Sequence, residues 1–415
     1  MCLCDGPRPD VAWPRLNPIS QTVGKLTMDY KLISCDDHLD LNQLPADLWT
    51  SRLPGAFRDR APHVEERDGR AVWVCEGESW GGWSGKGTMF NGPKPIFTAL
   101  DRGGIVDQTE RRPGVPELRL ADMDRDGVHT HVIFGPVTSI KTEDEALRDA
   151  CYQVYNDWLA DFCSVAPDRL LGVPMLPPHP EAALKELKRL AAKGCFKQAN
   201  LQIATAEPPI RDPRWEPLFQ TLEDTGMILS FHVTVFASAG AAFDPHKGSP
   251  GATFLHAKSF VEQFLDPFVD LFAFGILERH PGLKIVIAES GAGWLPWVVE
   301  ELDYRHWRLW ESKDYWADKG GIPLVTKPSE LFKRQIYSTF QQSPVAMDLL
   351  RFYGDNLLWA TDYPHPDSIW PNSRRTVDET MGHLPPETIR KLTHDNAAKL
   401  YGLDTESPAS RMAAE

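Results

Sequence analysis

The chain has 415 residues, with 44 Lys and Arg against 58 Asp and Glu, and a formal charge of -14. That acidic balance disfavours a nucleic-acid or anionic-membrane partner, whose phosphates reward a basic surface. No run of about 18 apolar residues is present to span a bilayer, so the expected partner is a small-molecule substrate or a second copy of the chain.

The first 27 residues, rich in proline and polar residues, lack the basic start and apolar stretch of an export signal and read as a disordered or mis-started extension. Strand-like sequence begins with "YKLISCDDH" from Tyr30. Seven further short apolar runs follow, starting at His129, Arg169, Phe196, Met227, Leu283, Lys333 and Asn356. Their continuous apolar character suits strands of a parallel sheet buried on both faces. Between them lie amphipathic stretches such as "HPEAALKELKRLAAKG" from His179, opened by Asp or Pro and closed by Gly in the manner of helices. Eight strands alternating with helices predict a (β/α)8 TIM barrel over residues 28–404, followed by a flexible tail at 405–415. The rival doubly wound sheet lacks its Gly-rich turn after the first strand.

Roughly ninety residues separate the first two runs, too many for one crossover helix. Within them, "APHVEERDGRAVWVCEGE" alternates around Asp68-Gly69, so a small β-hairpin insertion is expected at about 45–116, after strand 1. The aromatic segment from Trp80 either covers the barrel mouth or forms an ordinary surface loop. Seven cysteines, at 2, 4, 35, 75, 151, 163 and 195, show no paired metal spacing and read as reduced thiols of a cytoplasmic protein.

Candidate chemistry gathers at the carboxyl ends of the apolar runs. Residues two apart in a strand share a face, so Asp36 and His38 point inward together and Asp37 points away; Asp40 follows them only if the strand continues. His232, Glu289 and Asp362 close three other runs. Each alone has an ordinary structural reading, as a core histidine or a turn carboxylate. Several at matching strand ends of a barrel point to a site. Two imidazoles and two carboxylates suit a divalent ion, Zn²⁺ or Mn²⁺, with a position left for water or substrate. His129, His131, His280 and His306 are assigned structural places, and His365, just beyond Asp362, either binds substrate or caps a turn.

At these positions the chain resembles the amidohydrolase-related enzymes of the aminocarboxymuconate-semialdehyde decarboxylase group. The motifs are Asp-x-His on strand 1, "RLADMDRDGV" from Arg119, "YNDWLADFCSVAPDRLLGVPMLP" from Tyr155, "SFH" at Ser230, "RHPGLKIVIAESGAGWLPW" from Arg279, "ATDYPHPDSIWPNS" from Ala360 and "NAAKLYGL" from Asn396. The resemblance implies a metal-dependent barrel with ligands at Asp36, His38, His232 and Asp362. It departs from the group at Glu289, where many members place a catalytic histidine; Glu289 is the candidate catalytic acid or base, and Asp362 or Glu289 would take the proton of water in a hydrolase. The implied function is non-oxidative decarboxylation of an aromatic or unsaturated carboxylic acid, with His365 and Asp40 near the substrate. The same constellation would serve a hydrolase using metal-activated water, and an inactive barrel acting as a binding or assembly protein is the third reading. Apolar helices from Phe260 and Gly293 are compatible with a homo-oligomer or with packing inside one chain.

Overall fold

The computed structural model describes residues 30–83, 112–136, 140, 142–234, 250–317, 324–365 and 368–403. The expectations for 1–27, for 405–415 and for the aromatic segment beyond Trp83 lie outside those residues. Every apolar run became a strand, and the strands form two parallel arcs. One arc is β1 (Leu32–His38), β5 (Val128–Phe134) and β6 (Leu170–Gly172). The other is β7 (Met175–Leu176), β8 (Gln198–Leu201), β9 (Ile228–His232), β10 (Ile285–Ala288), β11 (Ile336–Phe340) and β12 (Leu357–Trp359).

Backbone hydrogen bonds join the arcs on both sides into the (β/α)8 barrel. β6 and β7 are one strand interrupted at Pro174, which has no N–H to continue a ladder. Val173 N–H donates to Ile133 O on β5 (2.8 Å), and Asn200 N–H on β8 donates to Pro174 O (2.8 Å). On the other side, Asp362 N–H donates to Asp36 O (2.8 Å) and His38 N–H to Tyr363 O (2.7 Å). The second seam therefore runs through three of the candidate ligands, Asp36, His38 and Asp362.

Helices cover the outside as their sequences require. In Glu145–Cys163 the Asp144 carboxylate caps the amides of Ala146 and Leu147, at 2.9 and 3.1 Å. Pro180–Lys193 and Glu216–Thr225 end at Gly194 and Gly226, both left-handed. Ile33, Cys35, Val132, Phe134, Val286, Ala288 and Leu358 fill the interior, whereas Leu32, Ile285, Ile287 and Leu357 pack outward under the helices.

The insertion holds one strand more than a hairpin. β2 (His63–Arg67), β3 (Arg70–Cys75) and β4 (Glu78–Gly82) form an antiparallel sheet that turns at Asp68 and Gly69, both at positive φ. Trp73 and Trp83 donate their indole N–H to Leu41 O (2.8 Å) and Leu44 O (2.9 Å), and Trp80 packs edge-on to Trp49. These tryptophans therefore anchor the insertion to the segment leaving β1. Cys35, Cys75, Cys151 and Cys163 are buried and Cys195 is exposed, all as free thiols.

Candidate metal centre

The end of β1 does not follow simple alternation. Ser34 pairs with His131 and Asp37 with Ile133, so three steps on β1 match two on β5. This bulge lets Cys35 stay in the interior core while Asp36 and His38 also face inward. Asp37 faces out, as expected, where it accepts hydrogen bonds from Thr361 Oγ1 (2.5 Å) and Tyr363 N–H (3.2 Å). Burial pushes its carboxyl up to about 8.

Asp36, His38, His232, Glu289 and Asp362 converge. His38 Nε2 lies 3.5 Å from Asp36 Oδ1 and 3.1 Å from Asp362 Oδ1; His232 Nε2 lies 3.2 Å from Asp36 Oδ1 and 3.3 Å from Glu289 Oε2. Glu289 follows β10 directly and Asp362 comes three residues after the end of β12; they hold φ of 53° and 60°, a left-handed backbone that costs a non-glycine residue energy and is retained mostly at functional sites. His365 joins them, with its ring stacked on His38 at 3.8 Å between centroids. Its Nδ1 lies 2.9 Å from Asp362 Oδ1 and its Nε2 2.8 Å from Asp40 Oδ2. Asp40, undecided in the strand pattern, thus reaches the site through His365.

Two features of this cluster fit a cation. His232 Nδ1 sits 2.8 Å from Val233 O; a carbonyl only accepts, so Nδ1 carries a proton and the ring turns its Nε2 toward the carboxylates of Asp36 and Glu289. In addition, both ring nitrogens of His38, both carboxylate oxygens of Asp362 and Glu289 Oε2 are buried, and the approaches of 2.9–3.5 Å among these groups leave them without a well-directed hydrogen bond. Such orphaned groups are costly unless something binds them. Ligand atoms of Asp36, His38 and His232 lie within 4.8 Å of one another, as do those of His38, Glu289, Asp362 and His365. A donor set of nitrogen and carboxylate oxygen is the chemistry that Zn²⁺ and Mn²⁺ accept.

The electrostatics set the carboxyls apart. Burial alone would raise Asp36, but the His232 charge and the close ring nitrogens of His232 and His38 outweigh it and hold Asp36 at about 2. Asp362 is likewise pulled down against burial by His365 and His38. Glu289 goes the other way: burial first, then the Asp362 charge, push it well above the usual carboxylate range, although its side chain keeps 20% exposure. Burial works against a charged His365, yet Asp362 and Asp40 raise its pKa well above that of a free imidazole.

Sequence reasoning missed Thr339 at the end of β11. Its hydroxyl donates to Asp36 Oδ2 (2.9 Å) and accepts the Glu289 N–H (2.9 Å), tying a candidate ligand to the candidate acid. Its run "KRQIYSTF" holds several polar residues and ends on Phe340, so no local signal singles Thr339 out. The other histidines are elsewhere. His131 faces Arg119 and Asp37, His280 bridges Glu216 and Glu223, and His306 meets Leu324 O and Trp310.

Comparison with known proteins agrees with this architecture. The family model described as amidohydrolase matches residues 96–403. A gamma-resorcylate decarboxylase of Rhodococcus jostii (strain RHA1) is 25% identical over 332 residues, covering 74% of this chain and 95% of that protein. Among solved structures, an amidohydrolase from Mycobacterium avium subsp. paratuberculosis K-10 superposes with a TM-score of 0.69 at 20% identity, over 91% of this chain and all (100%) of that one. A 5-carboxyvanillate decarboxylase from Novosphingobium aromaticivorans DSM 12444, complexed with manganese and 4-hydroxy-3-methoxy-5-nitrobenzoic acid, superposes at 0.56 with 24% identity, over 69% of this chain and 79% of that one. The two structures share the fold, and the family match spans most of the barrel: the chain belongs to the amidohydrolase family.

Proposed function

We propose that the chain is a divalent-metal-dependent carboxy-lyase that removes CO₂ from an aromatic carboxylic acid without oxidation. The observation that carries this reading is the set of orphaned nitrogen and carboxylate atoms of His38, Asp362 and Glu289 inside one buried cluster. The similarity to a gamma-resorcylate decarboxylase supports the choice of reaction. Asp36, His38, His232 and Asp362 would hold the ion, Zn²⁺ or Mn²⁺. When bound, the ion supplies a Lewis acid that steadies negative charge on the substrate's oxygens. Asp40 orients His365 against Asp362, and Thr339 orients Asp36. Glu289, its carboxyl pushed up by burial and the Asp362 charge, would hold a proton and deliver it to the ring carbon as its bond to the carboxyl carbon breaks. The carboxylate leaves as CO₂, the ring keeps the bonding pair and takes the proton, and water reprotonates Glu289.

The test is incubation of the metal-loaded protein with dihydroxybenzoates and 5-carboxyvanillate, following CO₂ and the decarboxylated phenol. Equal molar release supports the reading. Cleavage of esters or amides without CO₂ would replace it by hydrolysis, and neither metal nor turnover would leave a binding protein.

We also infer a homo-oligomer. The helix Leu295–Glu311 exposes Trp297, Tyr304, Trp307 and Trp310, with Trp297 at 64%, beside Glu301 and Arg305, whose opposite charges suit a self-complementary face. Sedimentation of Trp297→Glu and wild type checks it: an unchanged species removes this face as the interface. The free thiols accord with a cytoplasmic setting, and among the described residues no helix is long and apolar enough to cross a membrane.

A further inference from the structure

The motif "RLADMDRDGV" opens with Arg119, whose side chain is fully buried yet lies outside the barrel interior, between β1, β5 and its own helix Pro116–Asp126. Its guanidinium donates to His38 O (2.8 Å) and Pro113 O (3.3 Å) and reaches His131 Nδ1 (3.2 Å). Burial first, then the Arg119 and Arg169 charges, hold His131 well below its ordinary pKa, so this imidazole is neutral and its Nδ1 can accept from Arg119. The guanidinium also stacks 5.2 Å from the Tyr363 ring centroid. Tyr363 follows Asp362, and its hydroxyl donates to Asp122 Oδ2 (2.6 Å), one turn along the helix from Arg119. Asp37 accepts from Thr361 and Tyr363, the residues on either side of Asp362.

One helix thus grips the main chain of His38 with Arg119 and the residue after Asp362 with Arg119 and Asp122. We propose that Arg119 is a positioning residue for the metal site, fixing His38 and Asp362 relative to one another from behind the barrel wall. This rests on the proposed function, which makes those two residues ligands. A guanidinium serves because it offers several donors in a rigid fork and a flat face for Tyr363, and an ammonium does neither. Burying such a charge is costly, and a purely apolar contact would pack the same space with less penalty. What the cation supplies is directed hydrogen bonding to a carbonyl that sets the position of His38.

The experiment measures Mn²⁺ affinity, the spin-resonance spectrum of bound Mn²⁺ and melting temperature for full-length wild type, Arg119→Lys and Arg119→Met, with Asp362→Asn as a ligand-loss control. Outer partners of metal ligands typically change affinity by about 10–100-fold, and Arg119→Met is expected to weaken Mn²⁺ binding within that range. Its bound-ion spectrum should change, and Arg119→Lys should recover part of the affinity. If Arg119→Met does not fold, Arg119→Lys carries the test, with a weakened affinity expected and a wild-type value overturning the proposal. Wild-type affinity and spectrum in Arg119→Met, with only the melting temperature lowered, would overturn it as well. Wild type that binds no Mn²⁺ would instead overturn the functional reading, and the positioning role with it.

Discussion

The two ends of the barrel each hold histidine among carboxylates, and they differ in whether those groups are satisfied. In the turn before β10, His280 Nδ1 lies 3.1 Å from Glu223 Oε2 and its Nε2 lies 3.0 Å from Glu216 Oε1. Arg279 neutralises Glu216 through two 2.8 Å hydrogen bonds, and the Gly282 N–H occupies Glu223 Oε1 at 2.6 Å. Charge and hydrogen bonding close upon themselves there, as in a structural cluster. At the other end, three carboxylates and three imidazoles crowd together with orphaned atoms and two left-handed residues. The residue types are the same. The difference lies in unmet demand of the kind an added cation satisfies.

The strongest way to break that contrast is to remove one group from each end. Asp362→Asn or His232→Ala should abolish bound metal and lower kcat/KM by about 10³-fold or more, equivalent to roughly 4 kcal/mol. His280→Ala should leave metal content unchanged, and metal analysis together with turnover assays distinguishes the two. Loss of metal in His280→Ala would erase the distinction. Glu289→Gln comes next: full metal occupancy with kcat reduced by about 10²–10⁴-fold, the usual worth of a positioned acid. A variant that also loses metal would move Glu289 into the ligand set.

Removing the ion should cost stability on one side only. Chelation leaves Asp36, Asp362 and Glu289 facing one another, and restoring Mn²⁺ at about 100 times its dissociation constant should return roughly 2.7 kcal/mol, read as a rise in melting temperature. His280→Ala should cost about 2 kcal/mol whether or not metal is present.

The smallest effect lies outside both clusters. Asp126 is buried and pushed up to about 6, while Ser373 holds it by its N–H and hydroxyl. A carboxyl whose folded pKa exceeds its unfolded one contributes stability below the unfolded value, near pH 4, and loses it as pH rises through about 6. Asp126→Asn should therefore raise stability by about 1–2 kcal/mol at pH 7 and change it little at pH 4, as thermal melts at the two values would show. Equal effects at both pH values would remove ionisation as the cause.

Much of this molecule was legible before any coordinates. The eight apolar runs became the eight staves, because burial on both faces of a parallel sheet imposes continuous apolar sequence. Asp36, His38, His232, Glu289 and Asp362 were visible as polar residues ending such runs, and the Asp68-Gly69 turn by its need for positive φ. Other features depend on contacts between residues far apart in the chain. Strict alternation puts Ile33 and Cys35 on the face opposite to Asp36 and His38, and only the bulge against β5 brings all four inward. The Asp40–His365 pair spans most of the chain, as does the Thr339–Asp36 hydrogen bond. Nothing local in "RLADMDRDGV" marks Arg119 as buried, and only the fold sets it behind His38. Local patterns set which face of each element is apolar, and barrel closure decided which polar ends meet and which atoms are left without partners.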